Sequence, residues 1–266
     1  DWLARELARF AGIPPSDVGY AGLKDRHALT TQWFSLPLRG AEPDWSTLAL
    51  PEVRIVQISR ERRGLRRGAL RGNRFELTVR DLRGDLPALE ARLRRVEREG
   101  VPNYFGEQRF GRDGANLTAA ADLFAGRLHE RDRHKRGLYL SAARSLLFNA
   151  VLSRRVEEGG WRQPQEGEVL RLDGGNSLIP CARLTPAIVA RIEQGALHVT
   201  GPLWGRGVAL PEGAVRALEE AVLADYARWR EGLEAHGLQQ ERRDLRLRPD
   251  DFSGRLDAAS NTLELT

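Results

Sequence analysis

The chain reads as a mixed α/β (α+β) protein, and three observations carry this. Before residue 100 an opening helix is followed by strand, strand, strand, helix; a Gly-, Asn- and aromatic-rich passage then changes the character of the sequence; beyond it short strands alternate with helices until strand-like runs close the chain. With 266 residues and 41% hydrophobic content it can bury a core of one large domain or two ordinary ones.

Leu3, Leu7 and Phe10 form one helical stripe, which Gly12 and the pair Pro14-Pro15 stop. After a loop holding GLKDRH, the runs TTQWFSL and VRIVQIS (53–59) have the β-branched and aromatic content of strands. A third strand is expected in NRFELTVR, where the period of two puts Asn73, Phe75, Leu77 and Val79 on one face. Asp85 and Pro87 start a helix, Leu86, Leu89, Leu93 and Val96 give its buried stripe, and Gly100 ends it. The passage VPNYFGEQRFGRDGANL then opens what reads as a new unit. Helices are expected near 115–129 and 140–158, strands in EVLRL and SLIPC, a capped helix from Thr185 and Pro186 to Gly195, and a long helix over about 212–235. DLRLRPDDF and NTLELT return to strand. Because the chain opens at Asp1, contains no Met and ends on a strand just begun, it is expected to be a segment of a longer protein.

Composition excludes several function classes. No run approaches the ~20 apolar residues that cross a bilayer, and the N-terminus lacks a signal-peptide layout, so a soluble protein is expected. The single cysteine, Cys181, rules out an internal disulfide framework or a cysteine metal cage, and points to the cytoplasm. There is no Walker A loop and no GxGxxG after a strand, and His129-Glu130 cannot begin HExxH because position 133 is Arg. The histidines, including His27, His129 and His134, show no metal-ligand spacing. The net charge of +5 and pI near 9.9 suit a polyanionic partner. Nearly all of that positive charge is Arg, since Lys24 and Lys135 are the only lysines, and Arg both chelates phosphate and stacks on bases.

Four features could carry chemistry. In GYAGLKDRHALTTQWF a Gly-rich turn sets Asp25 between Lys24 and Arg26. Flanking cations favour the ionised carboxylate, which suits a nucleophile or base rather than an acid. A solvated turn is the commoner fate of such a triplet, and spacing alone does not separate the two. The stretch from Arg54 to Arg74 carries Arg54, Arg60, Arg62, Arg63, Arg66, Arg67, Arg71 and Arg74 against one acid, Glu61. Such a run attracts phosphate, or forms a solvated hairpin. Aromatics in NYFGEQRFG (103–111) can stack bases or plug a domain junction, and Trp204 in GPLWG has the same ambiguity, with core the commoner outcome.

Taken in order, GLKDRHALTTQWF, GALRGNRFEL, VPNYFGEQRFG and RSLLFNAVLSRRV resemble the signature blocks of the TruD tRNA pseudouridine synthases, and GLQQERRDLRL near the end matches too. The resemblance runs from about residue 19 to 247 and implies isomerisation of a uridine in tRNA, uridine 13 by analogy with bacterial members, without cofactor or metal. It places the catalytic carboxylate on Asp25 and substrate binding on Asn73 and Phe75, with Lys24 and Arg26 beside them. Phe75 would stack the extruded uracil and Asn73 would position the base or Asp25. The implied architecture is a pseudouridine-synthase-type mixed sheet over 1–99, an inserted domain special to the family over 100–248, and a return to the catalytic sheet over 249–266. RNA would lie between catalytic and inserted domains, bound by a monomer with no protein partner. Family members have a strand with a basic active-site residue before the first helix, and a strand and helix after the last strand, which this sequence lacks. The competing expectation is a non-catalytic RNA-binding protein of the same fold.

Overall fold

The computed structural model describes residues 2–25, 27–38, 40, 42–70 and 72–266. These divide into two compact units, residues 1–75 and 76–266.

In the first unit, helix α1 (Trp2–Phe10) forms as expected but buries Ala4, Leu7 and Ala8, while Leu3 and Phe10 of the expected stripe are only half-buried. Ala4 and Ala8 pack on Val18, with Tyr20 and Phe34 against them. Tyr20 and Phe34 belong to a two-stranded ladder of β1 (Gly19–Tyr20) and β2 (Phe34–Ser35), with Gly19 opposite Ser35. The strand expected in VRIVQIS does not form; 54–59 is exposed and in no ladder. Val53 and Ile55 fall on one face of an extended chain and Val56 and Ile58 on the other, so no single face gains by burial, and propensity supplies no partner strand.

The second unit holds two sheets. Strand β3 (Leu77–Arg80) is followed by helix α2 (Leu86–Glu99), capped by Asp85 and ended by Gly100 at φ +70°, as its start and stop signals predict. Strand β4 (Val101–Pro102), helices α3 (Ala115–Phe124) and α4 (Arg133–Glu157), strands β5 (Glu168–Leu172) and β6 (Leu178–Cys181), and helix α5 (Pro186–Glu193) come next. The chain continues through β7 (Leu197–Leu203), α6 (Gly213–Ala224) and α7 (Ala227–Ala235), and ends with β8 (Glu241–Asp244), β9 (Arg246–Leu247), β10 (Gly254–Asp257) and β11 (Thr262–Leu265).

One sheet has the order β10-β11-β3 and the other β6-β5-β7-β8, while β4 and β9 form a separate short ladder. Every one of these pairings is antiparallel. Helix α4 is central. Phe148 and Leu152 face a core with Leu170, Leu197, Val199 and Leu245, while Ala143, Leu147 and Val151 face Ala120, Leu223 and Leu233 of the neighbouring helices. A helix that buries side chains on two faces carries apolar residues around most of its girth, unlike a surface helix.

Four local expectations are corrected. The strand in NRFELTVR begins only at Leu77, so Asn73 and Phe75 precede the ladder and do not share its face. α3 stops at Phe124, α4 begins at Arg133 on the cap of Asp132, and the segment 212–235 is two helices broken at Asp225-Tyr226. Among the described residues no helix is long and apolar enough to cross a membrane.

Candidate active site

The Asp25 loop is tied to the 65–73 segment by contacts that begin in β1. Gly19 sits so close to that segment that a Cβ there would meet the Leu65 carbonyl oxygen at 2.4 Å and Ser35 Oγ at 2.5 Å. Glycine is required here by close backbone approach rather than by a turn. The Leu65 N–H donates to Ser35 Oγ at 2.8 Å, and the Gly68 N–H donates to the Ala21 carbonyl at 2.8 Å. At the far end, Lys24 Nζ donates to Asn73 Oδ1 at 2.7 Å. Two blocks 49 residues apart in sequence thus meet beside Asp25. Asp25 is exposed, and Phe75 presents 55% of its surface.

This brings together Lys24, next to Asp25 in the chain, with Asn73, two residues before Phe75. Arg26 lies outside the described residues. An ammonium bonded to the amide oxygen fixes which face of Asn73 remains available, and leaves its amide nitrogen as a donor toward a carbonyl or carboxylate. The arginine run follows the same path. Arg67 lies over the Tyr20 ring at 5.9 Å, Arg60 pairs with Glu42, and Arg62, Arg63 and Arg66 are exposed; Arg71 lies outside the described residues. The segment that the loop touches at Leu65, Gly68 and Asn73 thus carries exposed arginines. An exposed carboxylate, an exposed aromatic ring and an amide donor beside an ammonium can receive an unstacked base on a phosphodiester chain.

Comparison with known proteins decides the family. The family model for tRNA pseudouridine synthase D (TruD) matches residues 1–130 and 116–266. The chain belongs to the TruD family. The tRNA pseudouridine synthase D of Nitrosococcus oceani is 51% identical over 99% of this chain and 74% of its own length. That of Methylococcus capsulatus is 49% identical over 97% of the chain and 74% of its length. A solved structure, the putative tRNA pseudouridine synthase D of Methanosarcina mazei, superposes with a TM-score of 0.71 at 20% identity, covering 99% of this chain and 80% of that one. At that identity the likeness speaks for the mixed α/β fold.

In this TruD chain the NYFGEQRFG block is occupied by packing. Phe105 stands edge-on to Phe148 at 5.5 Å, with the guanidinium of Arg243 at 4.1 Å and that of Arg109 at 5.2 Å from its ring. Its backbone N–H and carbonyl are both bonded to the Asn149 amide, at 3.0 and 2.9 Å. Asn103 accepts from Arg243 at 2.7 Å and donates to the Asp244 carbonyl at 2.9 Å. Burial pushes the Arg243 pKa down against the opposing charge of Asp244. Trp204 likewise belongs to the fold, donating to Glu234 at 2.8 Å beneath the guanidinium of Arg230 at 4.2 Å.

Two ion pairs that sequence reasoning missed lie deep in the second unit. Arg155 pairs with Glu168, and Arg242 grips Glu219 with bonds of 2.9 and 2.7 Å. Their side chains are at most 8% exposed. The signal was weak, because Arg155 and Arg242 each stand beside another arginine in an arginine-rich chain.

Proposed function

We propose that the chain isomerises a uridine of tRNA to pseudouridine, with Asp25 as the reacting carboxylate and uridine 13 as the target. The observation that carries this reading is the Lys24–Asn73 hydrogen bond, which holds the Asp25 loop and the Asn73-Phe75 segment together within a TruD-family chain. In the reaction the N1–C1′ bond breaks, the uracil turns, and C5 bonds to C1′; C5 gives up its proton and N1 ends protonated. Product and substrate have the same atoms, so the overall change requires no oxidant and no group donor.

The roles follow from chemistry. The target base leaves its stack at a cost of a few kcal/mol, and stacking on Phe75, worth about 1–3 kcal/mol, offsets part of it. Asn73, its oxygen held by Lys24, directs its N–H₂ to the base or to Asp25. Asp25 acts as nucleophile or base. Lys24 and Arg26 hold the substrate, Lys24 partly through Asn73.

The domain assignment belongs to the same reading: 1–99 and 249–266 form the catalytic domain and 100–248 is inserted in it, with RNA held by both. Supporting this, β4 and β9 at the two ends of that segment are paired, Val101 opposite Leu247, and β11 after it pairs with β3 before it. The enzyme acts as a cytoplasmic monomer.

The test is Asp25→Asn. Transcribed tRNA incubated with the unaltered protein acquires a carbodiimide-dependent primer-extension stop at one uridine, and the variant, still folded and still binding tRNA, gives none. Substantial isomerisation by Asp25→Asn overturns the catalytic assignment. No stop with the unaltered protein, despite binding, favours the non-catalytic RNA-binding reading.

A further inference from the structure

Five arginines converge where α2 ends and β9 runs. Glu99, the last residue of α2, accepts from Arg95 at 2.8 Å, pairs with Arg162, and has Arg98 at 3.9 Å. Arg246 of β9 donates to the Glu99 carbonyl and, at 3.4 Å, to that of Arg98. Arg248 donates to the Arg98 carbonyl at 3.3 Å and to that of Glu193, the last residue of α5, at 2.5 Å. Arg162, Arg246 and Arg248 line one small cleft with Trp161, Gly195 and His198. His198 is bonded to Asp173 at 2.8 Å.

Part of this arrangement is helix capping, since carbonyls at two helix C-termini attract cations. Capping leaves donors over. Each guanidinium has five N–H groups, and Arg162 Nε is buried without a partner while its Nη1 holds Glu99. The Arg162 guanidinium stands over the Trp161 ring, 5.5 Å from its centroid. Like charges are crowded as well: burial lowers the Arg246 pKa first, and the cations of Arg248 and Arg162 lower it further. Two helix ends and one shared carboxylate leave positive charge over, and a phosphate's oxygens match the unused donors.

We propose that the cleft bounded by Arg162, Arg246 and Arg248 is a subsite for one backbone phosphate of the bound RNA. It sits at the foot of the 100–248 segment, since Arg246 belongs to the β4–β9 ladder. The inference rests on the tRNA reading above and deepens it by naming where a phosphate is held.

The experiment measures tRNA affinity of the full chain against salt for the unaltered protein, for the double variant R162Q/R248Q, and for R162K/R248K. One phosphate contact contributes about 0.9 to the slope of log affinity against log salt, which at 0.1 M salt corresponds to roughly an eightfold change in Kd. The expected result is that R162Q/R248Q loses about one unit of slope and binds roughly eightfold more weakly, with the lysine pair recovering the slope. Arg98→Gln, on the exposed side of α2, moves the slope in the same direction without touching the caps. Unchanged slopes in both R162Q/R248Q and Arg98→Gln, with melting temperatures retained, reduce the arginines to caps and overturn the proposal. It is overturned too if inorganic phosphate stabilises the unaltered protein but not R162Q/R248Q while both bind tRNA alike, since the ligand is then a free phosphate. Failure of the unaltered protein to bind tRNA at all instead defeats the functional reading.

Discussion

At the scale of single residues, Asp25 shows how little a local pattern decides and how much its long-range company does. A carboxylate between two cations is usually a solvated turn; the ordered blocks around it made it a candidate, and the bond from Lys24 to Asn73 gives that candidacy a geometry. That bond was not legible in the sequence, because it spans 49 residues and nothing local ties a lysine to an amide so far away. Gly19 was equally silent, since nothing in GYAGL announces that the Leu65 carbonyl will lie where a Cβ would stand. For Phe75 the prediction is quantitative. Replacing it by Ala removes a stacking surface worth about 1–3 kcal/mol, so kcat/KM on tRNA should fall roughly 5- to 150-fold, and Phe75→Tyr should keep most of it. Steady-state rates of the two variants measure this, and equal, near-normal rates would remove Phe75 from the site.

At the scale of elements, capped helices were the most legible parts. Asp85 with Gly100, and Thr185 before Pro186, bracket α2 and α5 as expected. Strands were harder. β7 was not legible, because it contains Gly201-Pro202 and both residue types weigh against a strand interior. Gly201 is there for packing: a Cβ would meet Leu245 Cδ2 at 2.7 Å and Phe148 Cε2 at 3.1 Å. The early start of α4 hangs on Asp132, whose carboxylate accepts from the N–H groups of His134 at 2.8 Å and Lys135 at 3.3 Å. Those backbone bonds, His134 first, hold the Asp132 pKa below the usual carboxylate range. A pKa depressed by folding means stability that is present above the ordinary carboxylate value and lost as pH falls through the lower, folded-state value. Asp132→Ala should therefore lower Tm at pH 7, and the gap to the unaltered protein should narrow only below about pH 4. A gap of constant size down to pH 2.5 would show that the carboxylate's charge plays no part in the cap.

At the scale of the whole molecule, the α/β class was legible, but the way one helix organises the second unit was not. The sequence places a helix there without saying what it packs on, and only the two clusters it joins reveal that both faces are buried. The arginine-rich composition also hid the ion pairs Arg155–Glu168 and Arg242–Glu219, since buried guanidinium groups look no different in sequence from surface ones. Because these pairs and both α4 clusters draw on side chains within 100–248, that segment expressed alone should unfold in a single cooperative transition by circular dichroism. Shallow, non-cooperative melting would reject it as a domain. The β4–β9 ladder brings the two ends of a long stretch of chain side by side. Two neighbouring antiparallel strands are the stems of a hairpin, and a hairpin can be closed by a turn of two residues. Everything from Asn103 to Leu245 thus occupies the place of such a turn. Replacing that stretch by a two-residue turn should leave the β3–β11 and β11–β10 pairings intact.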